Sequence, residues 1–253
     1  MLPTAVKKEY GQHFLRDPNI LDVIGRLAAL GPDDVVLEIG PGQGVLTRYL
    51  AERVAHVHAV EIDRTLEPAL QDLPANADVV FGDALKVELP QDATKLVANL
   101  PYNVATPLVV ESLGGLPHIR LWCVMVQREV AERFFAEPRT KEYGAVSVLV
   151  QLAAERTGFH PVSRTVFRPP PNVDSALVAF RRTELPEDYG RVKEVVTGAF
   201  SHRRKTLPNS LALADVASRE RAAEALAAID RPAETRAEAL VPEEFVALAR
   251  ALR

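Results

Sequence analysis

A short glycine-rich loop constrains the fold of this chain more than any other segment. The apolar run Val35-Val36-Leu37 leads directly into Glu38-Ile39-Gly40-Pro41-Gly42-Gln43-Gly44. Glycines that follow a strand and precede a helix let the backbone turn tightly and approach a ligand without interference from side chains. The loop therefore predicts a site for a nucleotide-like cofactor at the edge of an α/β sheet.

Short apolar runs alternate with helix-like segments along the first half of the chain. Strands are predicted at 35–39, 57–61, 78–81, 95–98 and 121–126, and helices at 46–53, 65–73 and 106–113. Strands separated by helices imply βαβ units and a mainly parallel sheet. We therefore expect an α/β fold with a Rossmann-like sheet.

The second half of the chain changes from mixed structure to helix. A helix is predicted at 145–155 and a last strand at 173–182, which completes the sheet. Residues 183–188 are polar and interrupted by Pro186, so we expect a domain boundary there. Beyond it, the apolar positions from Val192 to Phe200 have helical spacing, and the remainder is rich in Ala and Leu. The sequence therefore predicts a domain at 1–183 and a small all-helical domain at 187–253.

Composition excludes several classes of protein. No apolar run reaches the roughly 18 to 20 residues that a membrane helix requires, and the charged start at Lys7, Lys8 and Glu9 is unlike a signal peptide. We therefore expect a cytoplasmic protein. The single cysteine, Cys123, lies in an apolar run and is expected to be a buried thiol. Because no Cys/His cluster has zinc spacing, the sequence predicts no metal.

The positive charge is concentrated in one part of an acidic chain. The formal net charge is −4, but residues 156–205 carry ten Lys or Arg against five Asp or Glu. Phosphates respond to the local field more than to the total charge. A basic surface for nucleic acid is therefore compatible with the composition, and so is an ordinary solvated strip.

Acidic residues follow successive predicted strands, where open α/β sheets bind ligands. Glu61 stands about 20 positions after the glycines, as an acceptor for both hydroxyls of a ribose would, and Asp63 competes for this role. Asp83 follows the next strand and fits an acceptor for an adenine amino group. A dinucleotide fingerprint would have its third glycine at position 45, where this chain has Val45, and this argues against a nicotinamide cofactor.

The tetrapeptide Asn99-Leu100-Pro101-Tyr102 follows the fourth predicted strand and fits the capture of an exocyclic amine. The side-chain oxygen of Asn99 and the main-chain oxygen of Leu100 can accept the two hydrogens of an adenine N6 amine. Tyr102 offers a flat face on which a base can stack. Together with the glycine loop, this tetrapeptide predicts methyl transfer to an adenine.

These motifs make the chain similar to the KsgA-type small-subunit rRNA adenine dimethyltransferases over nearly its whole length. The similar segments are 10–15, 38–47, 60–63, 82–83, 99–102, 127–130, 143–144, 167–176 and 200–211. The resemblance implies a class I methyltransferase sheet, S-adenosylmethionine as methyl donor, and N6,N6-dimethylation of two adjacent adenines near the 3′ end of 16S rRNA. It also assigns cofactor binding and catalysis to 1–183, and binding of rRNA or the small ribosomal subunit to 187–253.

The resemblance carries functional roles onto matching positions of this sequence. The implied catalytic residues are Asn99, Leu100, Pro101, Tyr102 and Phe167, with Phe167 as a second aromatic wall around the target base. The implied cofactor-binding residues are His13, Leu15, Gly40, Gly42, Glu61, Asp83 and Asn99. The implied RNA-binding residues are Arg203, Arg204 and Lys205. Family members often have Asn where this chain has His13, and an imidazole can replace only one of the two hydrogen bonds of an amide.

Three other functions are compatible with parts of the sequence. The related 23S rRNA adenine methyltransferases of the macrolide-resistance type share the catalytic motifs, although the segments 167–175 and 203–206 favour the small-subunit enzyme. A dehydrogenase would share the nucleotide-binding pattern, but its chemistry would not explain the tetrapeptide at 99–102. A ribosome-assembly factor that binds immature subunits is compatible with methylation as a release signal. The expected partner is 16S rRNA within the small subunit or its precursor, and we expect a monomer.

Overall fold

The computed structural model describes residues 12–253, so residues 10 and 11 of the similar segment 10–15 lie outside the described residues. The strands are β1 Phe14–Leu15, β2 Val35–Ile39, β3 His56–Glu61, β4 Ala77–Phe81, β5 Lys95–Asn99, β6 Leu121–Gln127, β7 Ala154–Val162, β8 Phe167–Arg168 and β9 Ser175–Arg182. The helices are α1 Pro18–Leu27, α2 Val45–Ala51, α3 Glu67–Leu70, α4 Ala105–Gly115, α5 Arg128–Phe134, α6 Ala145–Ala153, α7 Tyr189–Phe200, α8 Leu207–Leu213, α9 Arg219–Ala227 and α10 Pro242–Ala251.

Seven strands form one sheet in the order β4-β3-β2-β5-β6-β9-β7. The pairs β2–β3, β3–β4, β2–β5 and β5–β6 are parallel, whereas β9 runs antiparallel to β6. The chain moves outward from β2 through β3 to β4 and then returns to the other side of β2 with β5. This reversal places a topological switch point between β2 and β5, where sheets of this kind bind ligands. The predicted α/β fold with a Rossmann-like sheet is confirmed.

All five predicted parallel strands are present within one or two residues of their expected ends. The strand β7 differs from the expectation, because helix α6 ends at Ala153 and an extended segment begins at once. Most residues of β7 are exposed or half-buried, as expected for the outermost strand of the sheet, so it lacks an apolar pattern. The helix expected at 65–73 is also shorter, since a 3₁₀ turn at Arg64–Leu66 precedes α3.

A buried cluster covers one side of the sheet near its centre. It contains side chains from α1, α2 and the strands, including Ile24, Leu50, Val97 and Phe167. Cys123 is fully buried in the same cluster, and burial raises the pKa of its thiol to about 12. The expectation of a buried thiol is confirmed. Among residues 12–253, no helix combines the length and apolar character needed to cross a bilayer.

Contacts divide the chain into two compact units. The first comprises residues up to Ala131 together with Arg156–Arg182, and the second comprises Glu132–Glu155 together with Thr183–Arg253. The sequence predicts one boundary at 183–187 and places 132–155 in the first domain, whereas the structure groups this segment with the second unit. The physical reason is that α6 buries seven of its nine residues and packs against α7 and α10.

The second unit has its own aromatic core. The ring of Phe200 lies 5.8 Å from that of Tyr143 and 5.7 Å from that of Phe245. The hydroxyl of Tyr143 donates to the main-chain oxygen of Leu240 at 2.8 Å. These contacts tie the turn before α6 to the segment before α10, and so hold helices distant in sequence together.

Candidate active site

One open cavity lies at the carboxyl edge of the parallel strands, within the first unit. It encloses about 1060 Å³, counting its solvent-filled mouth. Ten of the residues predicted from sequence line it: His13, Leu15, Gly40, Gly42, Glu61, Asp83, Asn99, Leu100, Pro101 and Tyr102. The fold thus brings together residues that are up to 89 positions apart in the chain.

The glycine loop forms the floor of the cavity in a conformation that favours glycine. Gly40 and Gly42 have φ of +77° and +58°. A Cβ on Gly40 would lie 3.4 Å from Cδ of Pro101, and one on Gly42 would lie 2.9 Å from Cδ1 of Phe14. Any side chain at these positions would therefore meet both backbone strain and a close neighbour. The loop can approach a ligand closely because both positions are glycine.

Glu61, at the end of β3, holds the glycine loop to the sheet. Its Oε2 accepts from the main-chain N of Gly42 at 3.1 Å, and its Oε1 accepts from that of Asp63 at 2.9 Å. Burial raises the pKa of Glu61, although these hydrogen bonds act in the opposite direction. Each carboxylate oxygen retains a further lone pair that can accept a hydroxyl hydrogen. Glu61 thus fits a ribose diol while it also shapes the loop.

Asp63 stands close to Glu61 in sequence but plays a different part. Its Oδ1 accepts from the main-chain N of Thr65 at 3.1 Å and from the Thr65 hydroxyl at 2.7 Å. Its Oδ2 accepts from Nε2 of Gln12 at 2.9 Å. The residue does not line the cavity. The geometry therefore separates the two carboxylates that sequence reasoning left in competition.

Glu38 is a buried carboxyl at the end of β2 that also lines the cavity. Only 1% of the residue is exposed, and its Oε2 has no hydrogen-bond partner among the described residues. Burial raises the pKa of Glu38 to about 8, and the charge of Glu61 acts in the same direction. An unpartnered buried carboxyl oxygen facing a cavity is costly without a ligand. Glu38 therefore marks a place where a polar or positively charged ligand group fits.

The amide of Asn99 is held by the N-terminal segment. Its Nδ2 donates to the main-chain oxygen of His13 at 3.0 Å. The imidazole of His13 has its Nδ1 2.9 Å from the main-chain oxygen of Pro169, and its ring lies 5.5 Å from that of Tyr102. The contact between His13 and Asn99 therefore comes from the main chain, so it does not depend on an imidazole or an amide at position 13.

Two acceptor oxygens remain available beside each other at the end of β5. Within the described residues, neither Oδ1 of Asn99 nor the main-chain oxygen of Leu100 accepts a hydrogen bond. The main-chain N of Leu100 donates to Met125 at 3.0 Å and fixes this peptide against β6. The Tyr102 hydroxyl lies 2.6 Å from Oγ of Ser175, which tethers its ring, and burial raises the pKa of that hydroxyl.

Asp83 lines the cavity from the turn after β4. Its Oδ1 accepts from the main-chain N of Leu85 at 3.0 Å, and its Oδ2 lies 3.2 Å from Nζ of Lys86. These contacts, with the backbone hydrogen bond the largest cause, lower the pKa of Asp83. Asp83 is therefore an ionised acceptor at the rim, and its contact with an adenine amine stays a prediction.

The structure does not bring Phe167 into the cavity. The residue is 4% exposed, pairs with Leu15 across the small β1–β8 sheet and packs in the buried cluster with Ile24 and Leu50. The expectation that Phe167 forms a second aromatic wall therefore stays a prediction, since its ring lies in the buried cluster beneath the N-terminal segment in this structure. In this conformation Phe167 supports β1, which in turn carries His13 and Leu15 to the cavity.

The predicted basic residues lie on the turn between α7 and α8, in the second unit. All three are exposed. Nη2 of Arg203 donates to the main-chain oxygens of Tyr143 at 2.9 Å and of Lys141 at 3.2 Å, so this side chain fastens the turn before α6. The side chains of Arg204 and Lys205 have no hydrogen-bond or ion-pair partner within residues 12–253, whereas Arg203 also lies 4.0 Å from Glu238. The structure therefore distinguishes an anchoring arginine from two cations open to solvent.

Sequence reasoning missed Glu38 as a member of the site. The signal was present, because Glu38 is an acidic residue inside an otherwise apolar strand, immediately before the glycine loop. Charged residues at such fully buried positions are rare unless they are paired or functional. Gln12 and Asn103 also line the cavity; Gln12 lies in the similar segment 10–15 without an assigned role, and Asn103 directly follows the tetrapeptide at 99–102.

The fold and the cavity define a Rossmann-like methyltransferase of class I, with an amide site at the topological switch point. The chain belongs to the ribosomal RNA adenine dimethylase family, whose model matches residues 4–250. The Rubrobacter xylanophilus protein named ribosomal RNA small subunit methyltransferase A is 48% identical over 251 residues, covering 96% of this chain and 94% of that protein. The resemblance drawn from the sequence motifs is confirmed.

Solved structures extend the similarity to the whole fold. A dimethyladenosine transferase from Plasmodium falciparum superposes with a TM-score of 0.79 at 28% identity, covering 93% of this chain and 96% of that chain. The 23S rRNA methyltransferase ErmE superposes with a TM-score of 0.65 at 31% identity, covering 94% and 99%. The chain is therefore an rRNA adenine methyltransferase, and the comparisons favour the small-subunit type over the 23S type.

Proposed function

We propose that this chain transfers methyl groups from S-adenosylmethionine to N6 of two adjacent adenines near the 3′ end of 16S rRNA, with two methyl groups on each adenine. The observation that carries the proposal is the pair of available oxygens on Asn99 and Leu100, beside the glycine loop at the switch point. An amine with two hydrogens needs two acceptors, and this pair supplies them.

The cavity residues fit S-adenosylmethionine, a cationic nucleoside. The backbone at Gly40 and Gly42 leaves room for close approach of a ligand, since a Cβ at either position would meet a neighbour. Glu61 can accept from ribose hydroxyls, and Asp83 can accept from an adenine amine. A positive charge bound beside Glu38 favours the ionised form of that carboxyl and supplies the partner that its Oε2 lacks. When bound, S-adenosylmethionine supplies a methyl group activated by its sulfonium.

The chemistry of the target amine explains the choice of acceptors. The N6 lone pair of adenine is delocalised into the ring, so the nitrogen is a weak nucleophile. When Asn99 Oδ1 and Leu100 O accept both hydrogens, the nitrogen can become pyramidal. Its lone pair then projects out of the plane of the ring, where it can attack a methyl group. Positive charge that develops on the nitrogen during attack is stabilised by these two fixed dipoles. No strong base is required, because the proton can leave after the methyl group has been transferred.

Stacking on the ring of Tyr102 fixes the plane of the target base, so that its amine meets the oxygens of Asn99 and Leu100. Stacking of a base on an aromatic ring is worth on the order of 1 to 3 kcal/mol. The hydroxyl contact with Ser175 restricts rotation of the Tyr102 side chain, so the ring is fixed before the base arrives. A monomethylated amine retains one hydrogen, and either oxygen can accept it during the second transfer.

We further propose that the helical second unit contributes to binding of rRNA or the small subunit through Arg204 and Lys205, and that the protein acts as a monomer in the cytoplasm. Exposed cations without protein partners support this assignment, because phosphate contacts dominate the affinity of nucleic-acid binding. Arg203 has a structural role beside them, since it already binds two main-chain oxygens.

Methylation with defined substrates tests the proposed function. Small subunits and 23S rRNA, each lacking adenine methylation, are incubated with the protein and labelled S-adenosylmethionine, and the RNA is digested for mass spectrometry. The proposal predicts N6,N6-dimethyladenosine in the small-subunit RNA at two neighbouring positions. Label confined to 23S rRNA would overturn the choice of substrate, and label on atoms other than N6 would overturn the assigned chemistry.

A further inference from the structure

Two histidines and an aspartate meet at the opposite end of the sheet from the cavity. His56 begins β3, and His58 lies two residues further on the same face of this strand. Asp78, on the neighbouring edge strand β4, is the direct cross-strand partner of His58. These residues lie at the amino ends of the strands, whereas Glu61 reaches the cavity at the carboxyl end of β3. Nothing in the methyl-transfer chemistry uses them.

Both imidazoles contact the same carboxylate oxygen of Asp78. Oδ1 of Asp78 lies 2.9 Å from Nδ1 of His58 and also contacts Nε2 of His56. The nitrogen and oxygen atoms that could serve as ligands all lie within 4.8 Å of one another. The side chains are 33%, 23% and 48% exposed for His56, His58 and Asp78, so an ion can reach them from solvent. Two imidazoles and one carboxylate, with a water in the fourth position, are a known ligand set for zinc in proteins.

A fourth residue, Asp92, lies beside the ring nitrogen of His58 that does not contact Asp78. The second ring nitrogen of His58, Nε2, is buried and has no hydrogen-bond partner among the described residues. Its nearest charged neighbour is Oδ1 of Asp92, at 3.4 Å, in the loop before β5. Metal-binding histidines commonly direct their other N–H to a carboxylate, which fixes the tautomer and the orientation of the ring. Asp92 lies close enough to His58 for a small shift to form this hydrogen bond when Nδ1 of His58 faces the metal.

We propose that His56 Nε2, His58 Nδ1 and Asp78 Oδ1 bind one divalent first-row transition metal, with Zn²⁺ as the best-suited ion. The fourth position of a tetrahedral ion is left for water, because no fourth protein ligand lies within the cluster among residues 12–253. Binding requires both imidazoles to be neutral at the coordinating nitrogen, so any proton held there is released to solvent. The step involves no change of oxidation state.

Such an ion would cross-link β3 to the edge strand β4, and through Asp92 it would also restrain the loop before β5. An ion that binds the folded chain and not the unfolded one raises the melting temperature in proportion to the logarithm of its concentration. The expected role is therefore structural, at a distance from the methyl-transfer site. A simple hydrogen-bonded cluster of two imidazoles around one carboxylate would show none of this metal dependence.

Metal titration of the full chain separates these two interpretations. The protein is stripped with a chelator and titrated with Zn²⁺ by calorimetry, and Co²⁺ is added in parallel because its visible absorption reports tetrahedral coordination. The variants His56→Gln, His58→Gln and Asp78→Asn remove one ligand each. His118→Gln is the matched control, since His118 is an exposed histidine outside the cluster. Melting temperatures are recorded for every variant with and without Zn²⁺.

The proposal predicts one bound Zn²⁺ per chain, a higher melting temperature with Zn²⁺, and intense Co²⁺ absorption in the wild type and in His118→Gln. Each ligand variant should lose the Co²⁺ signal and the Zn²⁺-dependent shift. Asp92→Asn should weaken Zn²⁺ binding by about 10- to 100-fold, as expected for an outer partner of a ligand. Wild-type protein that binds no Zn²⁺ at micromolar concentration, or ligand variants that bind it as the wild type does, would overturn the proposal.

Discussion

The side-chain Nδ2 of Asn99 donates a hydrogen bond to the main-chain oxygen of His13 at 3.0 Å. Because the amide has its donor and its acceptor on opposite arms, this contact commits the nitrogen and leaves Oδ1 as the group available to a ligand. The N-terminal segment thereby sets which way the catalytic amide points. The same segment is held in place by the pairing of β1 with β8.

Loss of the Asn99 amide should abolish most activity. For Asn99→Ala we expect kcat to fall on the order of 100- to 1000-fold, which is typical for removal of one preorganised group that stabilises transition-state charge. Cofactor affinity should change much less if the amide acts mainly on the target amine. Steady-state methylation of small subunits and calorimetric titration of S-adenosylmethionine measure the two quantities.

The matched control for this prediction is His13→Asn. The oxygen that holds Asn99 belongs to the main chain, so the substitution should leave kcat within a few-fold of the wild type. A loss as large as that of Asn99→Ala would show that the imidazole itself takes part, through its contact with Pro169 or its neighbour Tyr102.

Glu61 and Asp63 should respond differently to substitution. Glu61→Ala removes the acceptor for ribose and the anchor of Gly42, so we expect S-adenosylmethionine to bind about 10- to 100-fold more weakly, given 1.5 to 3 kcal/mol for a hydrogen bond to a charged group. Asp63→Asn should keep nearly normal cofactor affinity, since Asp63 does not line the cavity. Calorimetry on both variants tests the assignment, and equal losses would contradict it.

The buried carboxyl of Glu38 predicts a specific pH dependence of stability. In the folded chain its pKa is raised from 4.5 to about 8, so between these values the folded chain holds one proton more than the unfolded chain. Raising the pH therefore favours unfolding, with a slope of up to about 1.4 kcal/mol per pH unit. The stabilising contribution is fully present below pH 4.5 and is lost as the pH rises through about 8.

The variant Glu38→Gln lacks this titration. Urea denaturation of both proteins across pH 4 to 9 should show the wild type losing stability relative to the variant as the pH rises, with a constant difference above about pH 8. A difference that does not change with pH would show that Glu38 is ionised in the folded protein.

Tyr102 and Phe167 should separate into a functional and a structural aromatic residue. Phe167→Ala is expected to lower the free energy of unfolding by about 3 to 5 kcal/mol, because a buried ring is lost from the core. Tyr102→Ala should instead weaken use of the RNA substrate, by the ~1 to 3 kcal/mol of one stacked base, with a smaller effect on stability. Denaturation curves and kcat/KM for each variant test this, and a folded Phe167→Leu protein without activity would restore the stacking role.

In the basic turn after α7, Arg204 and Lys205 should affect RNA binding, whereas Arg203 should affect stability. Arg204→Ala combined with Lys205→Ala should weaken subunit binding and reduce the slope of log K against log salt by about 0.7 to 0.9 per lost phosphate contact. Arg203→Ala should reduce thermal stability, because the variant loses the hydrogen bonds to two main-chain oxygens in the turn before α6. Filter binding over a range of salt concentrations distinguishes them. An unchanged slope in the double variant would remove this turn from the RNA interface.

The centre of the parallel sheet could be predicted from sequence because strands β2, β5 and β6 are largely buried. Runs such as Val35–Ile39 and Leu121–Gln127 are apolar apart from Glu38 and Gln127, and glycine or polar residues bound them. The edge strand β7 could not be predicted in the same way, since its exposed residues follow no period. The grouping of α6 with the second unit depends on contacts with α7 and α10, which local sequence does not reveal.

The cavity could be predicted where a local motif carries the geometry, as for Gly40 and Asn99. The buried position of Phe167 could not, because the sequence shows an aromatic residue before three prolines and does not show which side of β8 is buried. The cluster of His56, His58 and Asp78 was also invisible, since Asp78 joins the histidines only through the β3–β4 pairing.

A crystal structure of this chain with S-adenosylmethionine bound would show where the methyl donor lies relative to Asn99. The distance to measure joins the sulfonium methyl carbon to Oδ1 of Asn99. We expect a value within about 6 Å, since a hydrogen bond of about 3 Å and a near-attack contact of about 3 to 3.5 Å join the two atoms through the target nitrogen. A donor bound in the cavity with its methyl group directed away from Asn99, or bound elsewhere on the protein, would contradict it.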